Sequence, residues 1–158
     1  MSIQNTNTDK SNKPTPILIS LFWSLPAAFI IIASVLVCGQ LDLLPEEYAG
    51  IIVPSVFALF LILSIPELIF AIRQRLEKLL KRFLILTGAS ALGIFVSFIL
   101  HNAIYGIFIY FFGEGFWERI GMSDEPFFFV LAVIICPIAF LVGIVGSIVL
   151  FVKRRRIP

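Results

Sequence analysis

Residues 83–113 read "FLILTGASALGIFVSFILHNAIYGIFIYFFG", 31 positions without a formal charge. As an α-helix this stretch would run about 46 Å at about 1.5 Å per residue, against about 30 Å of bilayer hydrocarbon. A tilt of about 40° would take up only about 39 Å of that length. The sequence therefore predicts a third membrane span that either protrudes from the bilayer or bends near Gly106.

Three more uncharged runs flank it, at residues 17–40, 50–66 and 126–152. The second reaches spanning length, about 20 residues, only by continuing past Glu67 to Ile72. The chain as a whole is 59% hydrophobic and 14% charged, where soluble domains carry about a quarter charged residues. These runs predict an all-α integral membrane protein, a single bundle of four transmembrane helices at about 17–40, 49–72, 83–113 and 126–152. A polar, disordered tail at 1–16 and a basic tail at 153–158 complete the domain plan. The first run exceeds the roughly 7–15 residues of a secretory signal core, so it reads as a retained span. The two cysteines, Cys38 and Cys136, fall at different depths and are expected to be unpaired and buried.

Charge gives the orientation. Basic residues collect in cytoplasmic segments, and 11 of the 12 fall in the N-terminal tail, the loop between spans two and three, or the C-terminal tail. Arg119 alone lies in an outer loop. Both termini are therefore expected in the cytoplasm, and the setting is expected to be a prokaryotic plasma (inner) membrane. The terminal "KRRRIP" reads as a stop-transfer anchor against anionic headgroups, so lipid and not nucleic acid is the expected partner.

Local patterns place the connections. "SIPE" at 64–67 has the S-x-x-E spacing of a capping box, with a proline in the first turn. Beyond it Leu68, Ile69, Ile72, Leu76, Leu79, Leu80 and Phe83 fall within about 120° of one another on a helix. Basic and polar residues fill the rest, with Glu77 and Lys81 as an i,i+4 pair. The pattern predicts an amphipathic basic helix joining spans two and three along the inner leaflet. In the second outer loop, "GEGFWERIGMSDEP", the glycines read as hinges and Trp117 as an interfacial belt residue. Ser123 or Asp124 is expected to cap span four. Within that span Ala132, Cys136, Ala139, Gly143 and Ser147 form a small-residue seam, suited to close helix packing in the bundle or in a dimer.

The candidate binding residues are His101, Asn102, Tyr105, Ser97 and Glu67. Thr87, Ser90, Ser97, His101 and Tyr105 lie within about 80° on a helical wheel, with Ile94 completing the stripe. A polar stripe in an apolar span should face the bundle interior. Its two readings are helix–helix hydrogen bonding and a proton- or ligand-handling path through His101, with Tyr105 and Asn102 in support. The position of His101 near a helix end favours the first. Glu67 is an intramembrane carboxyl, a functional-site candidate by default, or the reciprocal partner in the Ser64 cap; the spacing favours the cap.

No catalytic residue, metal ligand or cofactor is expected. One histidine cannot supply both axial ligands of a bis-histidine haem. The chain has no H-E-x-x-H, CxxC, glycine-rich phosphate loop or GxSxG. What remains is a structural or interaction component of a membrane assembly. The alternative is a small transporter or channel-like protein, possible as a homodimer, with the span-three stripe lining a pathway.

Overall fold

A computed structural model of the chain describes residues 13–41, 43, 45–122 and 125–156. Most of the expected N-terminal tail, with Asp42, Ser123, Asp124 and the last two residues, lies outside them. The described residues are helical, with no strand among them. The order is α1 (Pro16–Gln40), α2 (Glu46–Arg73), α3 (Lys78–Phe112), the short α4 (Phe116–Arg119), α5 (Pro126–Val130), a π-helical turn (Leu131–Ile135) and α6 (Cys136–Arg156). Among the described residues four helical segments are long and apolar enough to cross a membrane: Pro16–Gln40, Gly50–Arg73, Lys78–Phe112 and Pro126–Arg154. The class is that of a four-helix integral membrane protein.

In α1 every third or fourth residue is buried, from Leu18 through Phe22, Leu25 and Ala28 to Ile32, the stripe that a 3.6-residue period puts on one face. That face packs on α2, α2 packs on α3, and α3 packs on α6. Phenyl rings close the bundle across the remaining side. Phe29 of α1, Phe60 of α2 and Phe140 of α6 meet with centroids 5.0–6.2 Å apart. Phe22 meets Phe151 edge-on at 5.5 Å. Residues such as Ile30, Ile51, Ile62, Val133 and Val145 point outward, as apolar residues do when lipid is the solvent.

α3 runs unbroken through Gly106 and ends only at Gly113, whose φ of 85° leaves the helical region. Its C-terminus is closed by Arg119, which donates to the Phe112 carbonyl at 2.6 Å, a basic group where the helix dipole favours one.

Three local expectations are corrected. The chain between spans two and three is not a continuous amphipathic helix: α2 stops at Arg73, Gln74 is extended, and α3 restarts at Lys78. The break turns Leu76 into the core. Gln74 exchanges two hydrogen bonds with Thr15, at 2.6 and 3.1 Å, and Lys81 donates to the Ile72 and Gln74 carbonyls. Glu77 pairs with Arg154 at 2.6 Å and not with Lys81. Tertiary contacts thus override a helical pattern that is sound locally. These bonds also tie the start of α1, the α2–α3 turn and the end of α6 together at one end of the bundle.

The second correction is the capping box. α2 continues through Pro66, and the Ser64 hydroxyl donates to the Leu61 carbonyl in its own helix. Ser64 and Glu67 therefore cap nothing. The third concerns span four. Ser123 and Asp124 lie outside the described residues, and the side chain accepting from the first free N–H groups is Glu125, from Phe127 and Phe128 at 2.8–3.3 Å.

Candidate functional site

Close helix approach depends on small residues. A Cβ on Gly143 would lie 2.5 Å from Thr87 Oγ1 and 2.8 Å from the Thr87 nitrogen. A Cβ on Gly146 would run into the Phe83 ring, and one on Gly93 would lie 2.9 Å from Cys136 Sγ. The span-four seam is therefore spent, at Cys136 and Gly143, on α3 of the same chain.

Against that seam lies the polar stripe. Thr87, Ser90, Ile94 and Ser97 are buried. Thr87 and Ser90 return their hydroxyl hydrogens to the carbonyls of Phe83 and Leu86, the i−4 bond that hydroxyl residues make inside helices. The Ser97 hydroxyl is beside the Cys136 thiol. Both cysteines are free and half-buried rather than buried.

The far end of the stripe reaches the connection between α3 and α5. His101 Nδ1 lies 3.0 Å from the Glu125 carbonyl oxygen and 3.4 Å from its Oε2, with the two side chains 12% and 7% exposed. A carbonyl oxygen can only accept, so Nδ1 carries the hydrogen. His101 thus holds the residue that caps α5. Tyr105 stacks on Trp117 at 5.9 Å with the rings 9° from parallel. Trp117 is buried beneath α4, against Tyr105 and Phe108; it does not stand in a lipid-facing belt. Asn102 is exposed and donates to the Phe98 carbonyl at 2.8 Å, apart from the stripe. Of the sequence candidates, Ser97, His101 and Tyr105 share one face; Asn102 and Glu67 do not join them.

Glu67 lies elsewhere, toward the opposite end. Its side chain is fully buried, and neither carboxyl oxygen has a hydrogen-bond partner among the described residues. A Cβ added to Gly88 would collide with Oε2 and come within 3.0 Å of Leu68. Thr87 and Gly88 are consecutive, one against Gly143 of α6 and the other against Glu67 of α2. Three helices therefore converge at this level of the bundle. Ser147, one turn along α6 from Gly143, is also fully buried with its hydroxyl unpartnered.

Two features escaped the sequence reading. One is Glu125, hidden by the equally plausible caps beside it. The other is the π-helical turn at Leu131–Ile135, for which Pro137 is the signal. Proline has no N–H for the carbonyl four residues back, Val133, and its ring crowds that carbonyl. A wider turn just before it relieves the crowding, and π-bulges often sit at functional positions. Among the described residues no three His, Cys, Asp or Glu side chains gather as a metal site would need.

Compared with protein-family models, curated proteins and solved structures, the chain matches none.

Proposed function

We propose that this chain is a structural or interaction component of a membrane assembly, with both termini in the cytoplasm of a prokaryotic cell. The observation that carries this reading is the closure of the polar stripe. Gly143 and Gly146 bring α6 onto α3, Thr87, Ser90 and His101 each place a polar atom on a protein partner, and Ser97 is buried beside Cys136. Such a stripe is a packing seam that fixes helix register. The cleft between α1 and α2, lined by Ile32, Val35, Leu36, Val53, Val56 and Phe57, is wholly apolar. With α6 committed to α3, a partner would bind the outward faces of α1 and α2.

The test is purification in mild detergent, with measurement of particle mass and identification of copurifying chains. A discrete heteromeric complex is the expected result. A monomer without partners at native expression would sink the reading.

A small transporter or channel-like protein, homodimeric or not, is the second reading. It is favoured by the arrangement of polar residues on both sides of the Phe29, Phe60 and Phe140 cluster, with Thr87 and Ser90 toward one end and Ser97 and His101 toward the other. A stable homodimer that carries bound solute, and loses it in His101→Ala, would select it.

A further inference from the structure

We propose that Glu67 is a proton-binding site within the membrane-spanning bundle, its carboxyl group holding a hydrogen where α2, α3 and α6 converge. The inference stands apart from both functional readings, since neither uses this side chain.

Three observations meet here. Glu67 is fully buried inside a helix that is apolar enough to cross a membrane. Both of its oxygens lack a hydrogen-bond partner among the described residues. Gly88 of α3 leaves only enough room for the carboxyl group, so the side chain is packed in place and not swung out to water. An ionised carboxylate so placed would forfeit its hydration with nothing in return, a cost that buried groups escape by taking up a proton or meeting a cation.

Among the described residues no basic side chain belongs to the helical turns that meet at Glu67. On α2 the nearest basic residue is Arg73, six positions on; on α3 it is Arg82, six positions before Gly88. On α6 it is Lys153, ten positions past Gly143. On the described part of α1 the only titratable side chain is Cys38, at its far end, and the face turned inward carries Leu18, Phe22 and Leu25. His101 and Cys136 lie toward the opposite end of α3 and α6. A metal ion would need several ligands converging on it, and among the described residues no three His, Cys, Asp or Glu side chains gather around Glu67. A proton needs no such cage.

The placement also gives the proton a structural consequence. Pro66, the residue before Glu67, has no N–H to offer the Ile62 carbonyl, so α2 lacks one of its own bonds here. Charge appearing on Glu67 would load the helix pair at this weakened turn, against a glycine that cannot move aside.

Infrared spectroscopy of the full-length protein in lipid at neutral pH tests the assignment. A protonated carboxyl absorbs above the amide band and an ionised one below it. The expected result is an acid band that shifts on isotopic labelling of glutamate carboxyl groups, disappears in Glu67→Gln and persists in Glu125→Gln. Glu125 is the control because it is the other buried carboxyl among the described glutamates, and it accepts hydrogen bonds. The amide is shaped like the neutral acid, so Glu67→Gln should keep the wild-type thermal midpoint. If that variant does not fold, the isotope shift in the wild-type chain and the Glu125→Gln spectrum still decide the origin of the band. Absence of a glutamate acid band overturns the proposal. So does an acid band lost when choline chloride is exchanged for sodium chloride, which would assign a cation to the site.

Discussion

At the scale of single residues, the meaning of a glycine depends on what stands opposite it. Gly143 and Gly106 are both helical, but a methyl on the first would press into Thr87 while one on the second meets nothing within 4 Å. Gly143→Leu should therefore separate α3 from α6 and destabilise by about 1–3 kcal/mol, the usual cost of overpacking. Gly106→Ala should be neutral or stabilising by up to about 1 kcal/mol, because alanine is the better helix former. Thermal unfolding in one detergent compares the two directly, and a shared sign would refute the assignment of Gly143 to the seam. The sequence announces Gly143 through its neighbours at three- and four-residue spacing. It says nothing of the kind for Gly88, whose reason for being small is a carboxyl group on another helix. The same limit applies to Glu67. Its apparent cap with Ser64 is a genuine local motif, and only the continuation of α2 through Pro66 cancels it.

At the scale of elements, the entry into the fourth long helix is built on Glu125. Its carboxylate caps α5 while its carbonyl and carboxylate both approach His101. Glu125→Ala should cost the cap, about 0.5–2 kcal/mol, and the 3.4 Å side-chain contact with His101, while the 3.0 Å bond from His101 to the backbone carbonyl of residue 125 is kept. His101→Ala should cost that bond and the contact, and keep the cap. A double-mutant cycle on thermal stability should show coupling through the two side chains, and strictly additive effects would mean that the contact between His101 and the Glu125 carboxylate contributes nothing. Pro137→Ala restores the missing N–H, so the π-helical turn should relax to α and rotate Glu125 away from His101. The coupling should then vanish in that background, and its survival would separate the turn from the contact. The four long helices were legible in the sequence because spanning about 30 Å of hydrocarbon demands long uncharged runs, and chain composition records that demand directly. The stripe from Thr87 to His101 was legible for a similar reason, since a helix repeats its faces every 3.6 residues. The break at Gln74 and the cap at Glu125 were not. Each is chosen by atoms distant in sequence, Thr15 and Arg154 in one case and His101 in the other, over local alternatives of similar quality.

At the scale of the molecule, four helices of alternating direction bring the start of α1, the α2–α3 turn and the end of α6 to one end, where Gln74 holds Thr15 and Glu77 holds Arg154. The Glu77–Arg154 pair is largely exposed, with side chains 55% and 29% accessible, so it should stabilise by no more than about 1 kcal/mol. The consequence of this end is its charge. Lys13, Arg73, Arg75, Lys78, Lys81, Arg82, Lys153 and Arg154 all belong to it, while α4 at the other end carries only Arg119. Basic residues resist translocation, so this end should face the cytoplasm. Single cysteines placed at Arg75 and at Glu114, in a chain whose Cys38 and Cys136 are replaced by alanine, would report it through a membrane-impermeant thiol reagent on intact cells. Labelling is expected at 114 and not at 75, with both reacting once the membrane is opened. The reverse pattern would place the termini outside. Labelling of both positions in intact cells would show a mixed orientation and refute the assignment of this end to the cytoplasm.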